Sequence, residues 1–259
     1  MSRRPVWTVT EVTSAAGTRV VAGVTGAPGR PSVVLVHGHS SSHRYLARLA
    51  GALRADARVA APDLPGFGAT PADGRVLAVP DLADALADWL LATGREGSVL
   101  LGHSIGCQVV LDLAARRPSL VGPLVLVAPT VDPANRSWPR QAARLALDLV
   151  REARGLRSVQ VVDALRTGPR RFVRTFSSAL DHDVEDLLPH VAVPAVVVRG
   201  QHDPLVPGGW ARRVVDGLPD ARLVELDGPH AVQWSRPDAV ARVVRDVLAA
   251  RAREAPVAG

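Results

Sequence analysis

Short runs of aliphatic residues recur along the chain and alternate with longer segments whose apolar positions follow a helical period. Continuous Val/Leu runs of this kind are typical of strands that are covered on both faces of a parallel sheet. The predicted strands are Thr18–Val24, Val33–Val36, Arg58–Ala61, Ser98–Leu101, Leu124–Ala128, Ala195–Arg199 and Arg222–Leu226. The predicted helices between and after them are Tyr45–Ala55, Val79–Ala92, Cys107–Arg116, Trp210–Gly217 and Pro237–Arg253. This alternation predicts an α/β fold with a mostly parallel central sheet flanked by helices.

One long segment interrupts the alternation of strands and helices. From Asp132 to about His190 the sequence contains no strand-like run, and its periodicity is helical throughout. The helical pieces are Arg140–Arg154, Ser158–Arg166, Arg170–Ala179 and Val184–Leu188. We therefore expect residues 133–190 to form a helical insertion over the sheet, and residues 1–132 and 191–259 to form the core domain.

The candidate nucleophile is Ser104, which lies in the motif Gly102-x-Ser104-x-Gly106. The motif follows a predicted strand and precedes a predicted helix. A serine hydroxyl is a weak nucleophile, and a sharp strand-to-helix turn exposes it to a base and to oxyanion donors. Glycine is needed on both sides because side chains would clash in so tight a turn.

Two later loops carry the partners that a serine nucleophile needs. Asp203 follows the predicted strand Ala195–Arg199, and His230 follows the last predicted strand. The ends of parallel strands meet at one edge of a sheet, so both side chains are expected near Ser104. The order Ser, Asp, His along the chain is one of the known arrangements of a catalytic triad. Asp132, after the preceding strand, remains an alternative to Asp203.

The ordered motifs resemble those of α/β-hydrolase-fold enzymes along almost the whole chain. They are His37-Gly38, Asp63-x-x-Gly66-x-Gly68, Gly102-x-Ser104-x-Gly106, Gly200-x-x-Asp203 and Gly228-Pro-His230. The resemblance implies the α/β-hydrolase fold, with the helical cap inserted after the sixth strand of the sheet. It also implies that Ser104 is the nucleophile, His230 the general base and then acid, and Asp203 the carboxylate that orients His230.

The resemblance further implies an oxyanion hole built from the backbone N–H groups of His39 and Ile105. The chain departs from the family pattern at two points. The loop after His37-Gly38 lacks the Gly-Pro-Gly continuation found in several carbon–carbon bond hydrolases, which disfavours that subfamily without excluding it, and Cys107 stands where relatives usually carry Gly or Ala. A serine at the nucleophile position disfavours the dehalogenase and epoxide-hydrolase branches, which use aspartate.

Composition changes the picture mainly by exclusion. The net charge is +6, but all 31 basic residues are arginine and they are interleaved with acids. We therefore expect no nucleic-acid partner. No stretch of the sequence approaches the ~18 consecutive apolar residues that a membrane helix needs, so no membrane partner is expected either. The single cysteine cannot form an intramolecular disulfide, which fits a cytoplasmic protein. The eight histidines show no metal-ligand spacing, so neither a metal nor another cofactor is expected.

Substrate choice is expected to depend on the helical insertion, because the fold itself does not determine specificity. Trp138, Phe172 and Phe176 are candidate substrate-binding residues. Residues 136–174 contain ten arginines and only three acids. These arginines form either a solvated outer face or a surface that attracts an anionic substrate.

The sequence therefore predicts a serine hydrolase that acts on a small-molecule ester, thioester or lactone of a small, mainly apolar acid through an acyl-enzyme on Ser104. Hydrolysis of a carbon–carbon bond in a ring-cleavage-type product is the alternative within the same class. A non-catalytic ligand receptor on the same fold is the alternative from another class. The oligomeric state cannot be inferred from the sequence.

Overall fold

The computed structural model describes residues 6–72 and 74–254. Eight strands form one sheet in the order β1-β2-β4-β3-β5-β6-β7-β8. Their bounds are β1 Val9–Ala15, β2 Thr18–Thr25, β3 Ser32–Val36, β4 Arg58–Pro62, β5 Val99–His103, β6 Leu124–Val127, β7 Ala195–Gly200 and β8 Ala221–Leu226. The pairs β3–β4, β3–β5, β5–β6, β6–β7 and β7–β8 are parallel. The predicted α/β-hydrolase fold with a mostly parallel sheet is confirmed.

The antiparallel part of the sheet contains the one strand that the sequence pattern did not predict. β1 pairs with β2, and β2 pairs with β4, both antiparallel. β1 lies at the edge of the sheet and is largely exposed, and its three apolar residues, Val9, Val12 and Ala15, are separated by polar ones. The central strands were predictable because almost every residue of β3 to β6 is buried.

Ten α-helices accompany the sheet in the described part of the chain. They are α1 Ala47–Leu53, α2 Val79–Thr93, α3 Ile105–Arg116, α4 Trp138–Arg151, α5 Arg154–Thr167, α6 Pro169–Asp181, α7 Val184–Leu187, α8 Gly208–Gly217, α9 Val232–Ser235 and α10 Pro237–Glu254. α1 packs against α10 and α2 against α3. Their apolar residues join those of the sheet in one buried core. The helix predicted over Tyr45–Ala55 divides into a 3-10 turn, His43–Leu46, and α1.

Residues 133–190, called the helical segment below, contain α4 to α7 and no strand among the described residues. The three acids of its arginine-rich part, Asp148, Glu152 and Asp163, are all buried. Asp163 accepts a hydrogen bond from Ser42 Oγ at 2.7 Å and pairs with Arg44, which ties α5 to the turn before α1. The acidic side chains of residues 136–174 therefore face the core, whereas much of the arginine charge there faces outwards; the later acids Asp181, Asp183, Glu185 and Asp186 are exposed.

The sheet brings the candidate chemistry to one edge. β5, β6, β7 and β8 run parallel and end at His103, Val127, Gly200 and Leu226. The loops that follow these strands carry Ser104, Thr130, Asp203 and His230. Of the helices in the described part of the chain, none has an apolar stretch long enough to cross a bilayer.

Candidate active site

Ser104 occupies the tight turn between β5 and α3. Its backbone has φ 55° and ψ −123°, a conformation that non-glycine residues rarely adopt. The flanking glycines make the turn possible. A Cβ on Gly102 would lie 2.6 Å from the carbonyl oxygen of Gly106, and a Cβ on Gly106 would lie 2.6 Å from that of Val36. Ser104 is therefore the single residue between the end of β5 and the start of α3.

The Ser104 hydroxyl is half-buried and faces a cavity. Its Oγ lies 3.3 Å from Oγ1 of Thr130, and either oxygen can donate in that hydrogen bond. Thr130 lies in the loop after β6, and sequence reasoning did not single it out. A hydroxyl partner for the nucleophile cannot be anticipated from local sequence, because it depends on how two loops meet.

Asp203 and His230 form a buried hydrogen-bonded pair. Nδ1 of His230 lies 2.8 Å from Oδ2 of Asp203. The other carboxylate oxygen of Asp203 accepts from the backbone N–H groups of Leu205 at 2.7 Å and Val206 at 3.1 Å. Because the ionised carboxylate only accepts, Nδ1 of His230 carries the proton and donates it, which leaves Nε2 as the basic nitrogen.

Asp132, the alternative partner, is engaged elsewhere. Its carboxylate accepts from the side chains of Arg213 at 2.8 Å and Asn135 at 2.6 Å, and from the backbone N–H of Ala134 at 3.1 Å. These contacts fix the loop after β6. The structure therefore brings Asp203, rather than Asp132, to His230.

The charge around His230 favours its protonated form. Burial by itself lowers the pKa of His230, but the charge and hydrogen bond of Asp203 oppose that effect. Asp148 and Glu152, both from the helical segment, add further negative charge, and together these groups raise the pKa of His230 to about 9. An imidazole in this setting takes up a proton readily, as a general base must.

The other two histidines of the motifs, His37 and His103, are neutral and hydrogen-bonded. Nε2 of His37 accepts from the backbone N–H of Leu64 at 3.0 Å. Nδ1 of His103 lies 2.8 Å from the hydroxyl of Tyr45, which accepts from the backbone N–H of Gly38 at 2.9 Å. Burial lowers the pKa of both histidines. His37 and His103 therefore serve as neutral supports for the loops around Ser104.

The candidate oxyanion donors belong to two segments next to the nucleophile. Ile105 is the first residue of α3, so its backbone N–H precedes the hydrogen-bond series of the helix. His39 follows Gly38, whose Cα is so close to Ser104 that an added Cβ would lie 3.2 Å from the Ser104 Cβ. The His39 ring lies against Phe172 and Phe176, with centroid distances of 4.6 and 5.4 Å. Burial lowers its pKa to about 3, so the ring is neutral.

A cavity of about 330 Å³ opens beside Ser104. Its walls come from the loops after β3, β5, β6, β7 and β8 and from α4, α5 and α6, and most of them are apolar. The lining includes Ser104, Ile105, His39, Val131, Leu145, Leu149, Val161, Ala164, Phe172, Phe176, Leu205 and His230. This size and lining suit a small organic ligand with an apolar portion.

A sequence model of the alpha/beta hydrolase family matches residues 33–243. The chain belongs to that family. It is 32% identical to a pimeloyl-[acyl-carrier protein] methyl ester esterase of Aromatoleum aromaticum, an alignment that covers 85% of this chain and 98% of the relative. It is also 27% identical to a pyrrolizixenacetamide deacetylase of Xenorhabdus hominickii, over 84% of this chain and 91% of the relative.

Solved structures show the same fold. A thermophilic esterase from Thermogutta terrifontis superposes with a TM-score of 0.78, covering 93% of this chain and 98% of the esterase, at 20% identity. The predicted family and the predicted enzyme class are thus confirmed: the protein is an alpha/beta hydrolase, and ester hydrolysis agrees with its relatives.

Two of the three aromatic residues predicted to bind substrate line the cavity of this hydrolase. Phe172 and Phe176, both on α6, contribute to its wall. Trp138 is not part of the described lining. Its side chain is 39% exposed and packs edge-on against Phe176 at 4.8 Å. As the first residue of α4, Trp138 supports the aromatic wall from behind and does not reach the ligand space.

The hydrolase cavity also has polar residues that sequence reasoning did not select. Gln141, Asp148, Arg157 and Gln160, all on α4 and α5, line it. The signal was present in part, because Gln141, Leu145, Asp148 and Leu149 recur at the spacing of one helix face. Which face turns towards the sheet depends on how the helix docks, and that is not encoded locally.

Cys107 lies directly behind the nucleophile turn of the hydrolase. Its thiol is fully buried and bonds the carbonyl oxygens of Gly102 at 3.2 Å and Val127 at 3.3 Å. Burial raises the pKa of the thiol, so it is neutral and unreactive in the folded protein. Across residues 6–72 and 74–254, no three His, Cys, Asp or Glu side chains come together as a metal site requires.

Proposed function

We propose that this hydrolase cleaves the ester of a small, mainly apolar carboxylic acid through an acyl-enzyme on Ser104. The observation that carries the proposal is the buried Asp203–His230 pair, whose histidine lines the same cavity as a serine held in a strained strand-to-helix turn. A serine, a base within its cavity and a carboxylate that orients the base are the components of nucleophilic acyl transfer.

In the proposed mechanism, the Ser104 hydroxyl leaves Thr130, gives its proton to Nε2 of His230 and attacks the ester carbonyl. The backbone N–H groups of His39 and Ile105 donate to the oxyanion that forms. His230 then protonates the departing alcohol, and Ser104 remains acylated. A water molecule then gives a proton to Nε2 of His230 and attacks the acyl-enzyme. The bond between the acyl carbon and Ser104 Oγ breaks, the acid leaves, and His230 returns the proton to Ser104. Asp203 keeps the Nδ1 proton of His230 in place throughout.

The apolar part of the cavity is proposed to hold the acyl group. The helical segment is proposed to act as a cap, because α4, α5 and α6 all contribute to the wall. We also propose a small-molecule substrate and a cytoplasmic location, with which the single buried thiol is compatible. The function is tested with p-nitrophenyl esters of increasing acyl length and with a fluorophosphonate probe. A cavity of this size predicts a preference for short and medium chains.

The two alternatives give different results in the same experiments. A carbon–carbon bond hydrolase would release a carboxylate from a ring-cleavage-type diketone faster than from any ester of the series. A non-catalytic receptor would fold, bind ligand and remain unlabelled by the fluorophosphonate. Labelling that Ser104→Ala abolishes, together with turnover of simple esters, supports the esterase.

The pH dependence of kcat/KM is expected to follow His230. The base must be neutral to accept the Ser104 proton, and a raised pKa means that more of it is protonated at neutral pH. We therefore expect kcat/KM for p-nitrophenyl butyrate to rise from pH 6, to reach half its maximum near the His230 pKa of about 9 and to level off above it. A profile that is already flat at pH 6 would contradict this assignment of charge around His230.

A second candidate is that the ester substrate, or the molecule that carries it, is anionic. The acids of residues 136–174 are buried, whereas Arg140, Arg166, Arg170 and Arg174 are exposed. The outer surface formed by residues 136–174 is therefore positively charged. The similarity to an esterase named for an acyl-carrier-protein substrate is consistent with this candidate.

The dependence of kcat/KM on salt concentration tests whether these arginines attract an anionic substrate. Exposed charges are screened over ~10 Å at 0.1 M salt. We expect kcat/KM for a carboxylate-bearing ester to fall several-fold between low and moderate ionic strength, and that for a neutral ester to stay nearly constant. Arg170→Glu with Arg174→Glu should reduce the first rate. Arg222→Glu is the matched control. Arg222 is an exposed arginine near the start of β8, at the end of the strand away from the catalytic loops. Equal salt profiles for both esters would reject the candidate.

A further inference from the structure

One face of the α4 region contacts the two loops that carry Asp203 and His230. Four charged residues share this face, because Arg144, Arg151 and Glu152 each lie three or four positions from Asp148. Nη1 of Arg144 donates to the carbonyl oxygen of Pro204 at 3.0 Å, and Nη1 of Arg151 donates to that of His202 at 2.8 Å. The two arginines thus hold the backbone on both sides of Asp203.

The two acids on the same face hold the loop of His230. Oε1 of Glu152 accepts from the backbone N–H of Ala231 at 2.6 Å, and Oδ1 of Asp148 lies 3.4 Å from the backbone nitrogen of His230. Asp148 and Glu152 are only 3% and 2% exposed. The second oxygen of Glu152 has no hydrogen-bond partner among the described residues. Asp148 also lines the cavity beside Ser104.

Two buried carboxylates are a costly way to dock a loop, because neutral amides would accept the same hydrogen bonds. Burial raises the pKa of Glu152 to about 7 and also raises that of Asp148. What distinguishes carboxylates from amides is negative charge, and the group that benefits from it is an imidazolium. His230 becomes an imidazolium when it accepts the Ser104 proton.

Asp203 contributes most to the stabilisation of this imidazolium, and Asp148 and Glu152 add to it. Asp203 lies on its Nδ1 side, and the neutral His103 packs against its ring with a centroid distance of 4.9 Å. Burial raises the pKa of Asp148, and the positive charge of Arg151 offsets a small part of that effect. Tyr45 lies near Glu152, but burial raises the pKa of its hydroxyl, so Tyr45 is neutral and adds no charge here.

We propose that Asp148 and Glu152 are positioning residues that fix the backbone of the His230 loop and stabilise the imidazolium formed during acyl transfer. The inference rests on the proposed function of Ser104 and His230. It makes α4 a part of the acid–base apparatus as well as a wall of the cavity. The geometry of the base then depends on how the helical segment is docked.

The test uses variants that keep an acceptor oxygen and remove only the charge: Glu152→Gln, Asp148→Asn and the two combined. We expect the midpoint of the rising limb of kcat/KM against pH to fall by about one unit in the double variant, since an opposite charge nearby shifts a pKa by about 1–3 units. We expect kcat to fall about tenfold, with little change in KM for p-nitrophenyl butyrate. Glu152→Ala, which also loses the hydrogen bond, should lower kcat further than Glu152→Gln.

The matched control is Asp163→Asn. This carboxylate belongs to the same helical segment and is equally buried, but it contacts Ser42 and Arg44. The control should lower thermal stability and leave the midpoint unchanged. If the double variant fails to fold, Asp148→Asn alone carries the test. An unchanged midpoint in a folded charge-free variant, or an equal shift in Asp163→Asn, would overturn the proposal.

A second readout does not require turnover. The imidazole of His230 is titrated by NMR in the Ser104→Ala background, with and without Glu152→Gln, and its signal is assigned with His230→Gln. A lower midpoint with Glu152→Gln supports the proposal even if the ester substrates are wrong, whereas an equal midpoint rejects it. Absence of any esterase activity in the wild-type protein would instead count against the proposed function alone.

Discussion

Ser104→Ala and His230→Ala are each expected to lower kcat/KM for p-nitrophenyl butyrate by about 10⁴-fold or more. The first removes the atom that is acylated, and the second removes the base that accepts its proton. Because the two side chains act on one proton, the double variant should be little worse than either single variant. Steady-state hydrolysis across the three variants measures this directly, and fluorophosphonate labelling should be lost in Ser104→Ala.

Matched controls exist for both substitutions. Ser158→Ala changes an exposed serine of α5, and His190→Ala changes an exposed histidine before β7. Both should retain wild-type turnover. Losses that multiply in the double variant would show that Ser104 and His230 contribute independently and are not one catalytic device. Residual activity near the wild-type level in Ser104→Ala would place the nucleophile elsewhere.

Asp203→Asn is expected to lower kcat by about 10³–10⁴-fold while the protein remains folded. An asparagine side chain can still meet the backbone N–H groups of Leu205 and Val206, so the loop should keep its shape. It cannot balance the charge of a protonated His230, and an amide NH₂ turned towards Nδ1 would favour the wrong tautomer of the imidazole. Turnover together with circular dichroism separates this chemical loss from unfolding.

Asp132→Asn provides the comparison for that substitution, because Asp132 is also buried and also follows a parallel strand. Its contacts are with Arg213, Asn135 and Ala134, so we expect a modest loss of stability and nearly normal kcat. The reverse result, with Asp132→Asn inactive and Asp203→Asn mild, would transfer the orienting role to Asp132.

The fold and the motif residues were largely predictable because their signals are local. Aliphatic runs such as Val33–Val36 are buried on both faces of the sheet, and such runs leave little choice of secondary structure. The glycines around Ser104 are likewise required by contacts within a few residues of the turn or with the adjacent strand. β1 was not predicted because an exposed edge strand has no continuous apolar run.

The cavity wall was predictable only in part, because it forms where helices meet the sheet. Phe172 and Phe176 were anticipated as aromatic residues of the segment, but nothing local indicates that Trp138 packs behind them. The roles of Asp148 and Glu152 depend on their contacts with the backbone of His230 and Ala231, which are about 80 positions further along the chain. The sequence shows that these acids are two of only three in the arginine-rich stretch 136–174, but it does not show which residues they contact.

The reactivity of Cys107 can be used to measure how often the turn that carries Ser104 opens. The thiol is enclosed by the backbone of Gly102 and Val127, so a thiol reagent can reach it only when the junction of β5 and α3 opens. The chain has no other cysteine to complicate the signal. The rate of modification under native conditions, compared with that of the unfolded chain, therefore measures the free energy of local opening at Ser104.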